Sequence, residues 1–156
     1  MSTVLRYLEF LSLATWLGGI IFLSFVVAPG AFGMLGSRDQ AGALVGMALG
    51  RLHWMGVAAG AIYLLARIAE QKSLGALFKP AAGLVVLMIA QTLYSQLGVT
   101  SKMARLRGQM GSVDATPVTS PLRAEFDALH KWSVRLEGAV LLCGLAAMFL
   151  TVSDKK

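Results

Sequence analysis

LSLATWLGGIIFLSFVVA, residues 11–28, carries no charged side chain. A secretory signal has an apolar core of roughly 7–15 residues behind a positive cluster. This run is longer, and Arg6 and Glu9 precede it rather than a block of cations. It reads as a retained membrane span covering residues 4–28, which Pro29 and Gly30 are expected to end.

Three similar stretches follow. The second apolar segment is interrupted by Arg51 and His53. The expected arrangement is a short interfacial helix leading into a span over residues 52–69, with Arg51 at headgroup level, where its guanidinium snorkels. The third span covers residues 80–99, opened by Pro80, whose missing N–H does no harm in a first helical turn. Residues 108–121 contain DATPVTSP and read as the linker. The fourth helix begins near Leu122, is polar in its first turns, and spans over residues 129–152. Segments of roughly 20 residues suffice to cross about 30 Å of hydrocarbon. The runs are continuous rather than alternating, which favours helices over a barrel. The fold class is therefore all-α, an integral membrane four-helix bundle in one domain of 156 residues.

Composition agrees. Apolar residues make up 56% and charged residues 14% of the chain, against roughly 45–50% and about 25% in soluble domains. The net charge of +6 does not point to nucleic acid, because the cations form no single face and no aromatics are interleaved with them. Cations at the ends of apolar segments suit membrane insertion, so the expected partner is the lipid bilayer. Small residues recur at Ala14 and Gly18, at Gly42, Gly46 and Gly50, and at Gly56 and Gly60. They allow backbones to approach closely, within the bundle or in a homo-oligomer. Cys143 lies in an apolar run and reads as a small buried hydrophobe.

The second and fourth helices open alike, with Arg51-Leu52-His53-Trp54 matching Ala128-Leu129-His130-Lys131. Phe22 and Val27 correspond loosely with Tyr94 and Val99. The layout fits two parallel helix-pair repeats.

Two stretches resemble a known family. Pro29-Gly30-Ala31-Phe32 with Arg38-Asp39-Gln40-Ala41-Gly42 is similar to the loop after the first span in the transmembrane protein 205-like family. Phe126-Asp127-Ala128-Leu129-His130-Lys131-Trp132-Ser133-Val134 is similar to its opening of the last span. Glu137 departs from the pattern, standing where a neutral amide is expected. The resemblance implies a small four-span membrane protein and no particular reaction.

The candidate site lies in the polar positions of these helices. His53 and His130 are the only two histidines, and the repeat would place them at one depth on one side. Two imidazoles on facing helices suit the axial positions of a b-type haem or a metal ion, giving an electron-transfer protein. Gly56 and Gly60 on the face of His53 would leave room for a flat ligand. That is the alternative; the favoured reading is a small ligand or ion held in a polar seam near one membrane face. His130, Ser133 and Glu137 share a face by three-and-four spacing, and Gln91 and Ser95 share another, with Thr92 and Gln96 beside it. An ionisable group near the start of a span faces a bundle interior by default, so Glu137 takes up a proton, binds a cation or pairs with Arg51. A third reading is a structural or interaction subunit whose polar groups only join helices. No phosphate loop, paired-cysteine motif or nucleophile elbow is present, which leaves hydrolase and nucleotide-binding chemistry without support.

Overall fold

The computed structural model describes residues 3–154. Four long helices make up the fold: α1 (Thr3–Met34), α2 (Arg38–Gln71), α3 (Pro80–Met110) and α4 (Pro121–Ser153). Each is long and apolar enough to cross a membrane. Neighbours run antiparallel. α1 packs chiefly on α2 and α3 on α4, while α2 with α3 and α1 with α4 close the ring. The ends of α1 and α3 and the starts of α2 and α4 form a loop face, and the start of α1 and the end of α4 lie at the opposite, terminal face. Many outward side chains are apolar, among them Ile21, Phe25, Leu65, Leu142 and Phe149. Histidine, arginine and glutamate are found buried inside. That inversion is what lipid as a solvent favours.

Local chemistry explains most of the boundaries. Ser37 caps α2, its hydroxyl accepting from the Asp39 N–H at 3.1 Å. Lys72, at φ 49°, ends it in the left-handed conformation. Pro80 opens α3 as its sequence suggests, and Pro121, expected as the last residue of the linker, is the first residue of α4. Gly111, at φ 70°, stops α3.

Three expectations need correction. Pro29 does not end the first helix. Leu23–Val27 forms a π turn in which the Ala28 N–H donates to the Leu23 carbonyl. This wider turn accommodates a proline that lacks a donor and whose ring crowds the preceding turn, so α1 runs on to Met34. Nor is α2 broken near Leu52. Arg51 points outward and His53 inward, so neither interrupts a continuous helix of 34 residues. Last, α3 continues past Val99 through a second π turn, Ser95–Thr100, so residues 108–110 are helical rather than linker.

The π turns begin directly after Phe22 and Tyr94, the two residues matched in the sequence comparison of the first and third spans. The α1–α2 and α3–α4 hairpins run in the same sense, each with a π turn in its first helix. His53 and His130, which the repeat would place at one depth, are not level: His53 meets Glu137, two turns beyond His130 on α4.

At about 1.5 Å per residue α2 is about 51 Å long, well beyond about 30 Å of hydrocarbon. The surplus stands at the loop face, where a second small core joins Leu106, Val113 and Phe126. Arg107 lies over the Phe126 ring, 5.5 Å from its centroid. The connection of residues 111–120 is tied down there. Asp39 accepts from Ser112 Oγ at 2.6 Å and from the Val113 N–H at 2.9 Å, and Arg123 donates to the Val113 carbonyl.

The main core is centred on Trp16, with Leu13, Ile20, Tyr63, Val85 and Met88 around it. Gly56 and Gly60 form the bay that receives the indole. A Cβ on Gly56 would strike the indole nitrogen, and one on Gly60 would stand 2.8 Å from Trp16 Cζ3. Ala14 and Gly18 lie instead on the outer surface of α1. Overpacking of this kind costs roughly 1–3 kcal/mol. Gly56→Ala is therefore expected to lower unfolding stability in detergent by about that amount, read by chemical denaturation. Gly46→Ala, where an added Cβ meets nothing within 4 Å, should leave stability unchanged or slightly raised.

Candidate functional site

Two polar clusters are buried in the bundle, and both bridge α2 to its diagonal partner α4. On α2 the inward stripe is His53, Gly56, Gly60, Tyr63 and Arg67; on α4 it is Ser133, Glu137, Val140, Gly144, Ala147 and Thr151. Mid-bundle, both stripes present small residues to their neighbours. Gly56 and Gly60 face Trp16, and Gly144 faces Leu17 and Met88.

The first cluster lies toward the loop face. His53 is 2% exposed and has both ring nitrogens engaged. Nδ1 lies 2.7 Å from Gln96 Oε1, and Nε2 lies 3.2 Å from Glu137 Oε2. Gln96 lies at the start of the second π turn, half-buried beside the inward face of Thr92, Ser95 and Val99.

Hydrogen-bond bookkeeping constrains the charge of this cluster. With the Gln96 carbonyl facing Nδ1, that nitrogen must carry a proton. The second nitrogen then either donates to an ionised Glu137 or accepts from a protonated one. In both cases the pair is neutral overall and holds one proton more than imidazole with carboxylate. If the amide turns to present its NH2 group, Nδ1 becomes the acceptor and Nε2–H donates to the carboxylate, leaving the pair with one negative charge. The amide orientation and the proton count are linked.

Further polar capacity lies close by in the chain. Ser95 Oγ and Gln91 Oε1 are buried and have no hydrogen-bond partner among the described residues. They are one turn apart on α3. Ser133, one turn before Glu137 on α4, is also buried.

The sequence-derived candidates thus divide. His53 and Glu137 meet directly, and Gln91, Ser95 and Ser133 lie in the same half of the bundle. His130 is exposed and takes no part in the hydrogen bonds of His53. It stands two turns before Glu137, about 10 Å along α4. The space expected to hold a flat ligand beside Gly56 and Gly60 is occupied by Trp16. Among the described residues no group of three or more His, Cys, Asp or Glu side chains is placed to hold a metal ion. Glu137 pairs with His53 rather than with Arg51, which is exposed.

The second cluster, near the terminal face, escaped the sequence reading. In the sequence Arg67 stands near the end of the second apolar run and Glu9 before the uncharged stretch of the first. In the structure both are buried. Arg67 Nε is 3.5 Å from Glu9 Oε1 and 3.2 Å from Tyr63 OH, and its NH1 is 2.8 Å from Asp154 Oδ2. Thr151 Oγ1 donates to the Ala147 carbonyl at 2.7 Å, so Tyr63 OH donates to Thr151, also at 2.7 Å. The available signal was that Tyr63 and Arg67 continue the spacing of His53, Gly56 and Gly60. The two clusters are about 21 Å apart along α2. Between them the core is apolar, with Leu17, Val85, Met88, Val140 and Ala147 buried.

The family described as a domain of unknown function, DUF4149, matches residues 11–112. The match takes in most of α1 and all of α2 and α3, including His53 and Gln96, and stops before Glu137. No curated protein and no solved structure matches the chain.

Removing one partner of a buried ion pair costs roughly 3–5 kcal/mol, because the other charge is left without compensation. Arg67→Met should lose about that much stability in a denaturant titration. Glu9→Gln in the same chain should restore part of it. A double variant no more stable than Arg67→Met alone would show that Glu9 is not what Arg67 neutralises.

Proposed function

The chain belongs to the DUF4149 family, and we propose that it is a multi-pass membrane protein that binds and releases a proton at the His53–Glu137 pair. The pair is the centre of a small polar site in the loop half of the bundle. The observation carrying this reading is the histidine buried in an apolar bundle with an acceptor on each ring nitrogen, one of them a carboxylate. An ionisable residue inside a membrane bundle is a functional site by default, because burying its charge costs several kcal/mol unless paired.

Exposure gives the proton a direction. Glu137 is 15% exposed and His53 2%, so the carboxylate is the more accessible member of the pair. A proton arriving on Glu137 is shared with His53 Nε2, and Gln96 adjusts by turning its amide. The unpartnered Ser95 and Gln91 oxygens supply hydrogen-bonding capacity for a small polar ligand that accompanies the proton. A buried acceptor without a partner costs roughly 1–3 kcal/mol, which a bound group would return. The apolar stretch around Leu17, Met88 and Val140 separates the site from the Arg67 cluster, so the reading is of binding from one face. The resemblance of the first loop and the last helix to the transmembrane protein 205-like family supports a small four-span protein of that kind.

The test is coupled titration. Strongly interacting groups titrate in steps that belong to the pair rather than to either member. In labelled full-length protein in lipid nanodiscs, the Glu137 carboxyl and His53 ring signals are expected to move together in nuclear magnetic resonance spectra as pH changes. Exposed His130 should follow its own course. In Glu137→Gln the joint step should vanish while His130 is unaffected. A Glu137 carboxyl that titrates without any response at His53 would sink the proposal.

A further inference from the structure

We propose that the lipid-facing groove between α1 and α2 is a binding site for an anionic phospholipid, with an acyl chain in the groove and the phosphate on Arg51. This is independent of the proton site.

The groove has a volume of about 350 Å³ and is walled by Leu23 and Val27 of α1 and by Met47, Ala48 and Met55 of α2. Arg51 is the one charged residue on its wall. From Met47 to Met55 the groove extends about 12 Å along α2. Its shape follows from the fold. Gly19 brings the helices together at the deep end, where an added Cβ would stand 2.5 Å from Leu52 Cδ1. The first π turn, Leu23–Val27, borders the groove farther up.

Depth and charge identify the occupant. The helix between Arg51 and Lys72 rises about 31 Å, the thickness of a hydrocarbon core of about 30 Å. Arg51 therefore lies at the headgroup boundary on the loop side. Trp54, one turn on, and Trp132, beside Lys131 on α4, are exposed in the same region, as aromatic residues at a membrane interface are. Arg51 is itself exposed and meets no carboxylate among the described residues. Glu137, the partner its sequence suggested, is engaged by His53. An uncompensated guanidinium at this depth, on the wall of an apolar groove that opens sideways, matches a phosphodiester with an acyl chain attached. Arginine suits the role because its planar donors fit phosphate oxygens in pairs.

The experiment uses full-length protein equilibrated with nanodiscs of equal parts phosphatidylcholine and phosphatidylglycerol, then released for native mass spectrometry. The expected result is selective retention of phosphatidylglycerol. Arg51→Gln should reduce that retention at least about tenfold, the loss of one charge-assisted contact. Ala48→Phe, which fills the groove without changing charge, should reduce it similarly. Arg135→Gln removes another exposed cation outside the groove and should leave retention unchanged. Equal retention of the two lipids by the unaltered protein overturns the proposal. So does a loss in Arg135→Gln as large as in Arg51→Gln, which would mean diffuse attraction to a charged surface. Full retention by folded Ala48→Phe overturns the groove as the seat of the chain.

Discussion

Burying a charge between helices obliges its partner to be there too, and this obligation sets how α2 and α4 face each other. They are diagonal across the bundle and meet through side chains near the two ends, His53 with Glu137 and Arg67 with Thr151 and Asp154. In lipid, apolar surface gives little preference for one helix register over another, since the solvent is as apolar as the side chains. Directional pairs fix what packing leaves loose. With both ends pinned, α1 supplies the filling: Trp16 enters the bay at Gly56 and Gly60, and Leu17 meets Gly144.

The architecture was legible because it rests on a one-dimensional signal. Four long runs poor in charge, with Pro80 and Pro121 at the openings of two of them, specify four helices whatever their side chains later touch. The π turns were not legible. They obey no periodicity, and a reading at 3.6 residues per turn places Gln96 beside the polar face of α3 without showing that its amide reaches His53. Pro29 misled for a related reason, since its usual effect on a helix is absorbed by the turn before it. Arg51 and His53 looked like a break because adjacent polar residues interrupt an apolar run. On a helix, residues two apart are separated by about 200° of arc, enough for one to reach out and the other in.

The site was half legible. His53 and Glu137 stood out as ionisable groups in apolar surroundings, and they meet. His130 stood out for the same reason and is on the outside. What separates them is the tertiary neighbour, which spacing alone does not show. Gly56 and Gly60 illustrate the same ambiguity: a gap on a helix face is equally a ligand pocket or a socket, and only Trp16, some forty residues away in the chain, decides. Arg67 was hidden by position. Near the end of an apolar run a cation is usually at the membrane surface, and its burial became visible only once Glu9 and Asp154 were seen beside it.

The second π turn has a consequence for how α3 is divided. Such a turn holds one more residue than the helix on either side, so it shifts the phase of everything after it by about 100°. The stretch before Ser95 is phased to the apolar core, and the stretch after Thr100 is phased to the small cluster of Leu106 and Phe126. One rod therefore carries two surfaces whose alignments are set separately. Losing a single residue anywhere between Ser95 and Thr100 would leave both surfaces intact in composition and turn one against the other, moving Leu106 off Phe126 or Gln96 off His53. The loop-side cap and the buried histidine are geared together through that one turn.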